Sequence, residues 1–237
     1  MLEYPKIETL FVRNNDFTVT DRLKHPVVAT IIEWVVTEKI DGTNIRVHLD
    51  EANELSFGGR TANAQINGDL VSYLYKTFTA DKMAALRKDA DPVSITLYGE
   101  GYGAGIQKGG GYSPTKSFVL FDVLIGSRWW LRDDDVSEIA DKLGIVRAPI
   151  IGQLNMAQIV ALVRDGFASL LEGATCRAEG IVARPIEPLF DNQHRRVVLK
   201  LKTCDYQKGG RCTKPLTQSL LPGCSKEAET DLDATSS

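Results

Sequence analysis

The sequence has few of the residues that tie a fold together covalently or through a metal. Its 237 residues include four cysteines and three histidines, and no two cysteines form a Cys-x-x-Cys pair. The histidines, His25, His48 and His194, lie far apart in the chain, and this spacing argues against a zinc site. We therefore expect the cysteines to be reduced thiols.

Long apolar runs and a strong net charge are also missing. No run is long enough to cross a bilayer. The first six residues lack the basic and then apolar layout of a signal peptide. The net charge is −3 and 43% of the residues are apolar, which is typical of a globular protein with a substantial core. We expect an intracellular protein.

Charge is nevertheless uneven along the chain. Residues 192–214 contain seven lysines and arginines against one acid, Asp205, whereas residues 227–233 are acidic. A local basic patch binds polyphosphate or nucleic acid even on an acidic protein, although a solvated face explains the same pattern.

The periodicity of apolar residues predicts an α+β fold with largely antiparallel sheets. Helical spacing covers residues 68–88, a stretch that ends near Gly144, and a stretch between Asn155 and Gly166. Strand patterns cover residues 31–38, 45–49, 94–98, 117–124, 178–184 and 197–201. Past Asp205 the pattern dissolves, so we predict one domain over residues 1–206 and a loosely ordered tail over residues 207–237.

Six short motifs follow one another between these elements. They are Lys39-Ile40-Asp41-Gly42-Thr43-Asn44, Ser56-Phe57-Gly58-Gly59-Arg60-Thr61, Leu97-Tyr98-Gly99-Glu100-Gly101, Phe118-Val119-Leu120-Phe121-Asp122-Val123, Glu179-Gly180-Ile181-Val182-Ala183-Arg184 and Leu199-Lys200-Leu201-Lys202. Alone, the Asp-Gly pair indicates a β-hairpin, and the two C-terminal lysines indicate an exposed polar strand face. Alternate positions of a strand point the same way, so Lys200 and Lys202 are expected on one face of their strand.

This ordered set resembles the covalent nucleotidyltransferase superfamily of polynucleotide ligases and RNA capping enzymes. It is most similar to the ATP-dependent RNA ligases of the phage nick-sealing type, over roughly residues 4 to 203. The resemblance implies a nucleotidyltransferase domain, an ATP-grasp-like ligase adenylation fold with helices flanking its sheets. It also implies RNA repair in the cytoplasm, or in the host cytoplasm if the chain is phage-encoded.

The resemblance assigns Lys39 as the catalytic nucleophile toward ATP. A lysine attacks only when it is neutral, and neighbouring cations with partial burial favour that form. Lys200 and Lys202 are implied to contact the α-phosphate and to stabilise transition-state charge. Glu179 is implied to position a divalent metal, for which Mg²⁺ is the expected ion and Mn²⁺ the alternative.

The remaining implied contacts hold the nucleotide. Glu100 holds the ribose hydroxyls and Arg60 orients the nucleotide. Phe121 and Val182 sandwich the adenine, although Phe118 is an alternative for the stacking role. Ile40 and Asn44 complete the nucleotide site, and the glycine-dense segment 99–111 forms either a mobile flap or a plain loop.

The resemblance implies an ATP-dependent RNA ligase that joins 5′-phosphate and 3′-hydroxyl ends through a lysyl-adenylate and an adenylylated RNA end. Its expected partners are nicked or broken RNA ends and no membrane. Only about thirty-five residues follow Lys202, too few for a module of usual domain size, so a protein partner that supplies such a module is also expected. The alternatives are a DNA ligase, a capping-type nucleotidyltransferase and a non-catalytic RNA-end-binding protein.

Overall fold

The structure, a computed structural model, describes residues 1–15, 19–87 and 92–207. Apart from residue 207, the predicted C-terminal tail lies outside these residues, and the predicted domain boundary stays a prediction. No helix among the described residues is long and apolar enough to span a membrane.

Thirteen strands and five α-helices form within the described residues. The strands are β1 (Glu8–Thr9), β2 (Phe11–Arg13), β3 (Val19–Leu23), β4 (Trp34–Lys39), β5 (Thr43–Leu49), β6 (Leu55–Gly58), β7 (Ile95–Tyr102), β8 (Ser117–Ile125), β9 (Trp129–Trp130), β10 (Val146–Arg147), β11 (Ile150–Leu154), β12 (Gly180–Pro185) and β13 (Leu199–Lys202). The helices are α1 (Gly68–Thr77), α2 (Ala80–Ala84), α3 (Asp133–Leu143), α4 (Met156–Asp165) and α5 (Cys204–Gln207).

Two sheets carry most of the fold. The first has the strand order β1-β13-β12-β4-β11, and the second has the order β10-β8-β7-β5-β6 with β9 paired to β8. Within these two sheets the pairings are antiparallel except β1 with β13 and β10 with β8. The predicted α+β class with largely antiparallel sheets is confirmed.

Each sheet buries one face against helices. Apolar residues of β4, β12 and β13 pack with α4, and apolar residues of β5, β7 and β8 pack with α1, α2 and α3. Because successive side chains of a strand point to opposite faces, the residues between the core positions face the other way. Trp34 and Val36 of β4 are fully buried in the first core, so Lys39 at the end of that strand points away from it.

Capping residues mark the ends of the helices, and one predicted helix is broken in two. The helix predicted over residues 68–88 is broken, because Phe78 is extended and Thr79 caps the start of α2 by accepting from the Lys82 backbone N–H. Gly144 closes α3 in the left-handed conformation, as expected of a glycine just past a helix. Asn155 and Gln158 form a capping box at the start of α4.

Candidate active site

The strand faces turned away from the two cores line a cavity of about 350 Å³. Its walls come from β4, β5, β7, β8, β12 and β13, together with the N-terminal segment. Each of the ten predicted site residues lines this cavity: Lys39, Ile40, Asn44, Arg60, Glu100, Phe121, Glu179, Val182, Lys200 and Lys202. Positions spread over more than 160 residues of sequence therefore meet at one place.

Lys39 is the last residue of β4 and stands opposite Gly180, the first residue of β12. Its Nζ lies 2.5 Å from Glu179 Oε2, and its side chain is 21% exposed. The amine therefore sits at the cavity wall and not in bulk solvent. The distance is that of an ion pair between the two side chains.

Glu179 joins two lysines at once. Its other oxygen, Oε1, lies 2.5 Å from Lys202 Nζ. Burial opposes the charge on Lys202, but the hydrogen bond and the negative charge of Glu179 outweigh burial and raise the Lys202 pKa. Sequence reasoning expected cations around the nucleophile, and it missed this shared carboxylate pairing.

Lys200 lies two residues before Lys202 on the same strand and behaves differently. Burial lowers the pKa of Lys200, and the positive charges of Lys39, Lys202 and Arg60 lower it further. Lys39, Arg60, Lys200 and Lys202 thus form a cationic cluster at the cavity, and Glu179 pairs with two of its lysines.

Glu100 faces Lys39 from the second sheet. Burial raises the pKa of Glu100 to about 7, against the opposing effect of the Lys39 charge, and the charge of Glu179 adds to the rise. A Cβ at Gly42 would lie 2.3 Å from the Gly101 carbonyl oxygen, so this close approach of the Lys39 turn to β7 requires glycine.

A β-bulge in β8 aims Phe121 into the cavity. Tyr98 pairs with Asp122 and Gly99 pairs with Leu120, so Phe121 is the extra residue between two pairs. Phe118, the alternative stacking residue, is fully buried in the second core. Phe121 and Val182, which belong to different sheets, both line the cavity.

Asp122, next to the bulge, anchors the N-terminal segment that forms one cavity wall. The Tyr4 hydroxyl donates to Asp122 Oδ2 at 2.7 Å, and Arg196 pairs with the same oxygen at 2.5 Å. Arg184 lies 3.6 Å from it and donates to the Phe121 carbonyl oxygen at 3.0 Å. Burial, then the charge of Asp122, raises the pKa of Tyr4. Sequence reasoning missed Tyr4 and Arg184 as wall residues, since tertiary pairing alone brings them together.

Of the glycine-dense segment 99–111, Glu100 lines the cavity, and a flap over substrate stays a prediction. The first part of the segment continues β7 as far as Tyr102, and Gly109–Gly111 forms a single turn of 3₁₀ helix. Ile106 and Tyr112 are buried within or just after it.

Comparison with known proteins identifies the family to which the chain belongs. The model of the RNA ligase family matches residues 32–202, which include each of the ten predicted site residues. The chain belongs to the RNA ligase family. This confirms the predicted family, whereas membership of the phage nick-sealing group stays a prediction.

Solved structures with the same fold include RNA ligase from Naegleria gruberi. A mutant of that protein with ATP and Mn matches with a TM-score of 0.59 and 18% identity over 76% of this chain and 52% of that chain. Another mutant with AMP and Mn matches with a TM-score of 0.61 and 17% identity, over 86% of this chain and 58% of that chain. The structure of that ligase with PPi matches with a TM-score of 0.59 and 17% identity, over 86% of this chain and 62% of that chain. The chain thus spans somewhat more than half the length of these ligases.

Proposed function

We propose that this RNA ligase family member adenylylates itself on Lys39 with ATP and uses the adenylate to seal RNA ends. The observation that carries the proposal is the position of the Lys39 amine. It lies in a cavity of nucleotide size, paired with Glu179 and beside two further lysines.

In the first step the neutral Lys39 amine attacks the α-phosphorus of ATP. A phosphorus–nitrogen bond forms, the bond from that phosphorus to the bridging oxygen breaks, pyrophosphate leaves, and the nitrogen releases its proton. Before this step the ion pair between Lys39 and Glu179 has to open. The phosphates of ATP compete for the cationic cluster and give Lys202 a second anionic partner.

The other cavity residues bind and orient the nucleotide in this proposal. Phe121 and Val182 hold the adenine between an aromatic and an aliphatic face, and Glu100 accepts from the ribose hydroxyls. Lys200 and Lys202 contact the α-phosphate, where negative charge grows as pyrophosphate departs. Such positioning converts a bimolecular attack into an effectively unimolecular one.

Ile40, Asn44 and Arg60 complete the nucleotide contacts in the proposal. Ile40 is buried beside the cavity, and Arg60 is exposed at its rim. The Asn44 Oδ1 atom is buried with no hydrogen-bond partner in the structure. An incoming hydroxyl, ammonium or bound water would satisfy that atom, which fits a polar ligand in this part of the cavity.

Glu179 is the residue that would hold a divalent metal. Within residues 1–15, 19–87 and 92–207, no group of three or more acidic, histidine or cysteine side chains forms a metal cage. This donor set fits Mg²⁺ or Mn²⁺ that enters with ATP, because Mg²⁺ takes one or two carboxylates plus phosphate oxygens and water. A bound ion supplies charge neutralisation of the phosphates.

The later steps use the stored adenylate. A 5′-phosphate oxygen of an RNA end attacks the adenylate phosphorus, the phosphorus–nitrogen bond breaks and Lys39 is regenerated. A 3′-hydroxyl then attacks the 5′-phosphorus of the activated end, which forms the phosphodiester and releases AMP. RNA ends are the proposed substrate, and the 2′-hydroxyl is the group that separates RNA from DNA.

A sealing assay tests the proposal. Matched nicked duplexes with RNA or DNA at the nick are incubated with ATP, GTP or no nucleotide in the presence of Mg²⁺. The expected result is sealing of the RNA nick with ATP only. Preferential DNA sealing or GTP-dependent transfer would instead assign a DNA ligase or a capping-type enzyme, and RNA binding without transfer would assign a non-catalytic RNA-end-binding protein.

A further inference from the structure

Strand β5 carries a buried arginine, Arg46, on the strand face that leads to the cavity. The residues on either side of it, Ile45 and Val47, lie in the second core, so Arg46 points to the opposite face. Asn44, two residues earlier, lies on that same face and lines the cavity. Arg46 is 3% exposed. A buried guanidinium destabilises a fold unless its N–H groups are hydrogen-bonded, so the partners of Arg46 indicate what it holds in place.

The Arg46 guanidinium donates to backbone carbonyl oxygens in two different segments. Its Nε atom donates to the Gly59 oxygen at 2.7 Å, and a terminal nitrogen donates to the Met1 oxygen at 3.4 Å. Hydrogen bonds from a charged donor are shorter and stronger than those between neutral groups. The shorter bond therefore fixes the backbone of Gly59, the residue directly before Arg60.

Gly58 leaves the guanidinium room to reach this carbonyl group. Arg46 pairs with Gly58, the last residue of β6. A Cβ at Gly58 would lie 3.1 Å from a terminal nitrogen of Arg46 and 3.3 Å from its Nε. The first glycine of the Gly58-Gly59-Arg60 sequence thus makes space for the Arg46 side chain.

The backbone around Arg60 is held by contacts other than a strand ladder. β6 is the edge strand of the second sheet, and Arg60 lies two residues beyond its end. Gly59 is buried and bonded to Arg46. Beyond Arg60, the Ala64 N–H donates to the Thr61 oxygen at 3.2 Å in a turn. Arg60 therefore stands between two fixed backbone positions, with its exposed side chain at the cavity rim.

We propose that Arg46 is a positioning residue that holds Arg60 at the rim of the nucleotide cavity through the Gly59 carbonyl group. This inference rests on the proposed function, in which Arg60 contacts the nucleotide. Loss of the guanidinium frees the Gly59 backbone and lets the Arg60 side chain move relative to Lys39. Groups at such a site have to be held to within roughly half an ångström of the productive geometry.

Arg87 provides a matched control beside the same pair of strands. Its guanidinium donates to the backbone oxygens of Val93 at 2.9 Å and Asp50 at 2.6 Å. Asp50 directly follows β5, at the opposite end of the β5–β6 pair from Arg60. Arg46→Met and Arg87→Met therefore each remove one guanidinium that is bonded to backbone carbonyl groups, and only the first removes a link to Arg60.

The experiment places each variant in a double-mutant cycle with Arg60→Ala and measures single-turnover formation of the lysyl-adenylate over a range of ATP concentrations. We expect Arg46→Met to lower the ratio of the maximal rate to the half-saturating ATP concentration about tenfold alone and less than twofold in the Arg60→Ala background, because the two residues act as one unit. Arg87→Met stays within twofold in both backgrounds. Arg46→Lys keeps the charge and loses the Nε donor. It replaces Arg46→Met if that variant does not fold, with an expected loss of about threefold and the same dependence on Arg60.

NMR relaxation follows the backbone directly in the same proteins. The order parameters of the Gly59 and Arg60 amides should fall in Arg46→Met and stay unchanged in Arg87→Met. This measurement needs no ATP and therefore does not depend on the proposed reaction.

Equal losses from Arg46→Met in the two backgrounds would show that Arg46 acts independently of Arg60 and would overturn the inference. An unchanged ratio in Arg46→Met, or in Arg60→Ala alone, would overturn it as well. If the wild-type protein forms no adenylate, the proposed function fails, and the order parameters still decide the structural part. Unchanged order parameters at Gly59 and Arg60 in Arg46→Met overturn the positioning role in either case.

Discussion

Lys39 and Glu179 face each other where β4 and β12 stop pairing, with Nζ and Oε2 2.5 Å apart. Glu179 also holds Lys202 through its second oxygen. A single carboxylate thus pairs both with the proposed nucleophile and with a lysine that is proposed to bind phosphate. In the proposal, the phosphates of ATP take over the two lysines, and the metal takes their place on Glu179. Glu179 thus restrains the Lys39 amine in the free protein and binds the metal ion in the complex.

Glu179→Gln is expected to lower the rate of adenylylation at least a hundredfold. The amide releases Lys39, but it loses the negative charge proposed to hold the metal and leaves Lys39 and Lys202 facing each other. Label transfer from α-labelled ATP measures this rate. Glu138→Gln serves as the control, because Glu138 pairs with Lys142 on the exposed face of α3. Faster labelling in Glu179→Gln would mean that the carboxylate only inhibits the nucleophile.

The raised pKa of Glu100 predicts opposite effects of pH on stability and on nucleotide binding. Its pKa rises from 4.5 to about 7 on folding, so between these values the folded protein binds a proton that the unfolded chain does not. The contribution to stability is complete below pH 4.5 and is lost as pH rises through 7, with an upper limit of about 3 kcal/mol. ATP binding should instead strengthen from pH 6 to 8, as the carboxylate that accepts from the ribose forms.

Urea titrations and ATP titrations at pH 5, 6, 7 and 8 check both halves of this prediction. Glu100→Gln keeps the shape of the side chain and cannot ionise, so its stability should vary less with pH across this window than that of the wild-type protein. Parallel curves for the two proteins would contradict the assignment of the shift to Glu100.

Substitution of Phe121 should mainly weaken ATP binding, whereas substitution of Phe118 should mainly lower stability. Phe121→Ala removes the proposed stacking face and should weaken ATP binding about tenfold to a hundredfold, in line with ~1–3 kcal/mol per stacked base, with a small loss of stability. Phe118→Ala opens a cavity in the second core and should lower the free energy of unfolding by about 3–5 kcal/mol. Isothermal titration with ATP measures binding, and urea denaturation measures the free energy of unfolding. Weakened ATP binding in Phe118→Ala with unchanged binding in Phe121→Ala would show that the adenine does not stack on Phe121.

Asp122 should contribute more to stability than an exposed acid does. Its side chain is 2% exposed and faces Tyr4, Arg184 and Arg196. Asp122→Asn leaves buried cations without their counter-ion, and we expect a loss of about 3–5 kcal/mol in urea denaturation. Glu187→Gln, in an exposed pair with Arg132, should lose less than about 1 kcal/mol. Equal losses of stability in the two variants would show that the buried network around Asp122 contributes no more than an exposed ion pair.

The motifs predicted the residues that line the cavity more completely than the apolar periodicity predicted the helices. Short, strongly patterned segments such as the β12 and β13 strands are local signals, and their alternation already puts Lys200 and Lys202 on one face. The break at Phe78 between α1 and α2 was missed, because helical spacing continues through it and only the cap at Thr79 reveals it.

Other features of the site depend on tertiary contacts that sequence cannot specify. The bulge at Phe121 exists only relative to the partner strand β7. The pairing of Glu179 with Lys39 joins residues that lie 140 positions apart in the sequence. No local spacing encodes such contacts.

The most direct test of the account is covalent labelling of Lys39. The wild-type protein and Lys39→Ala are incubated with α-labelled ATP and Mg²⁺, denatured, and mapped by peptide mass spectrometry. The account predicts one AMP adduct on the wild-type protein, located at Lys39 and released by pyrophosphate, and no adduct on Lys39→Ala. An unlabelled wild-type protein, or an adduct of equal yield on Lys39→Ala, would contradict it.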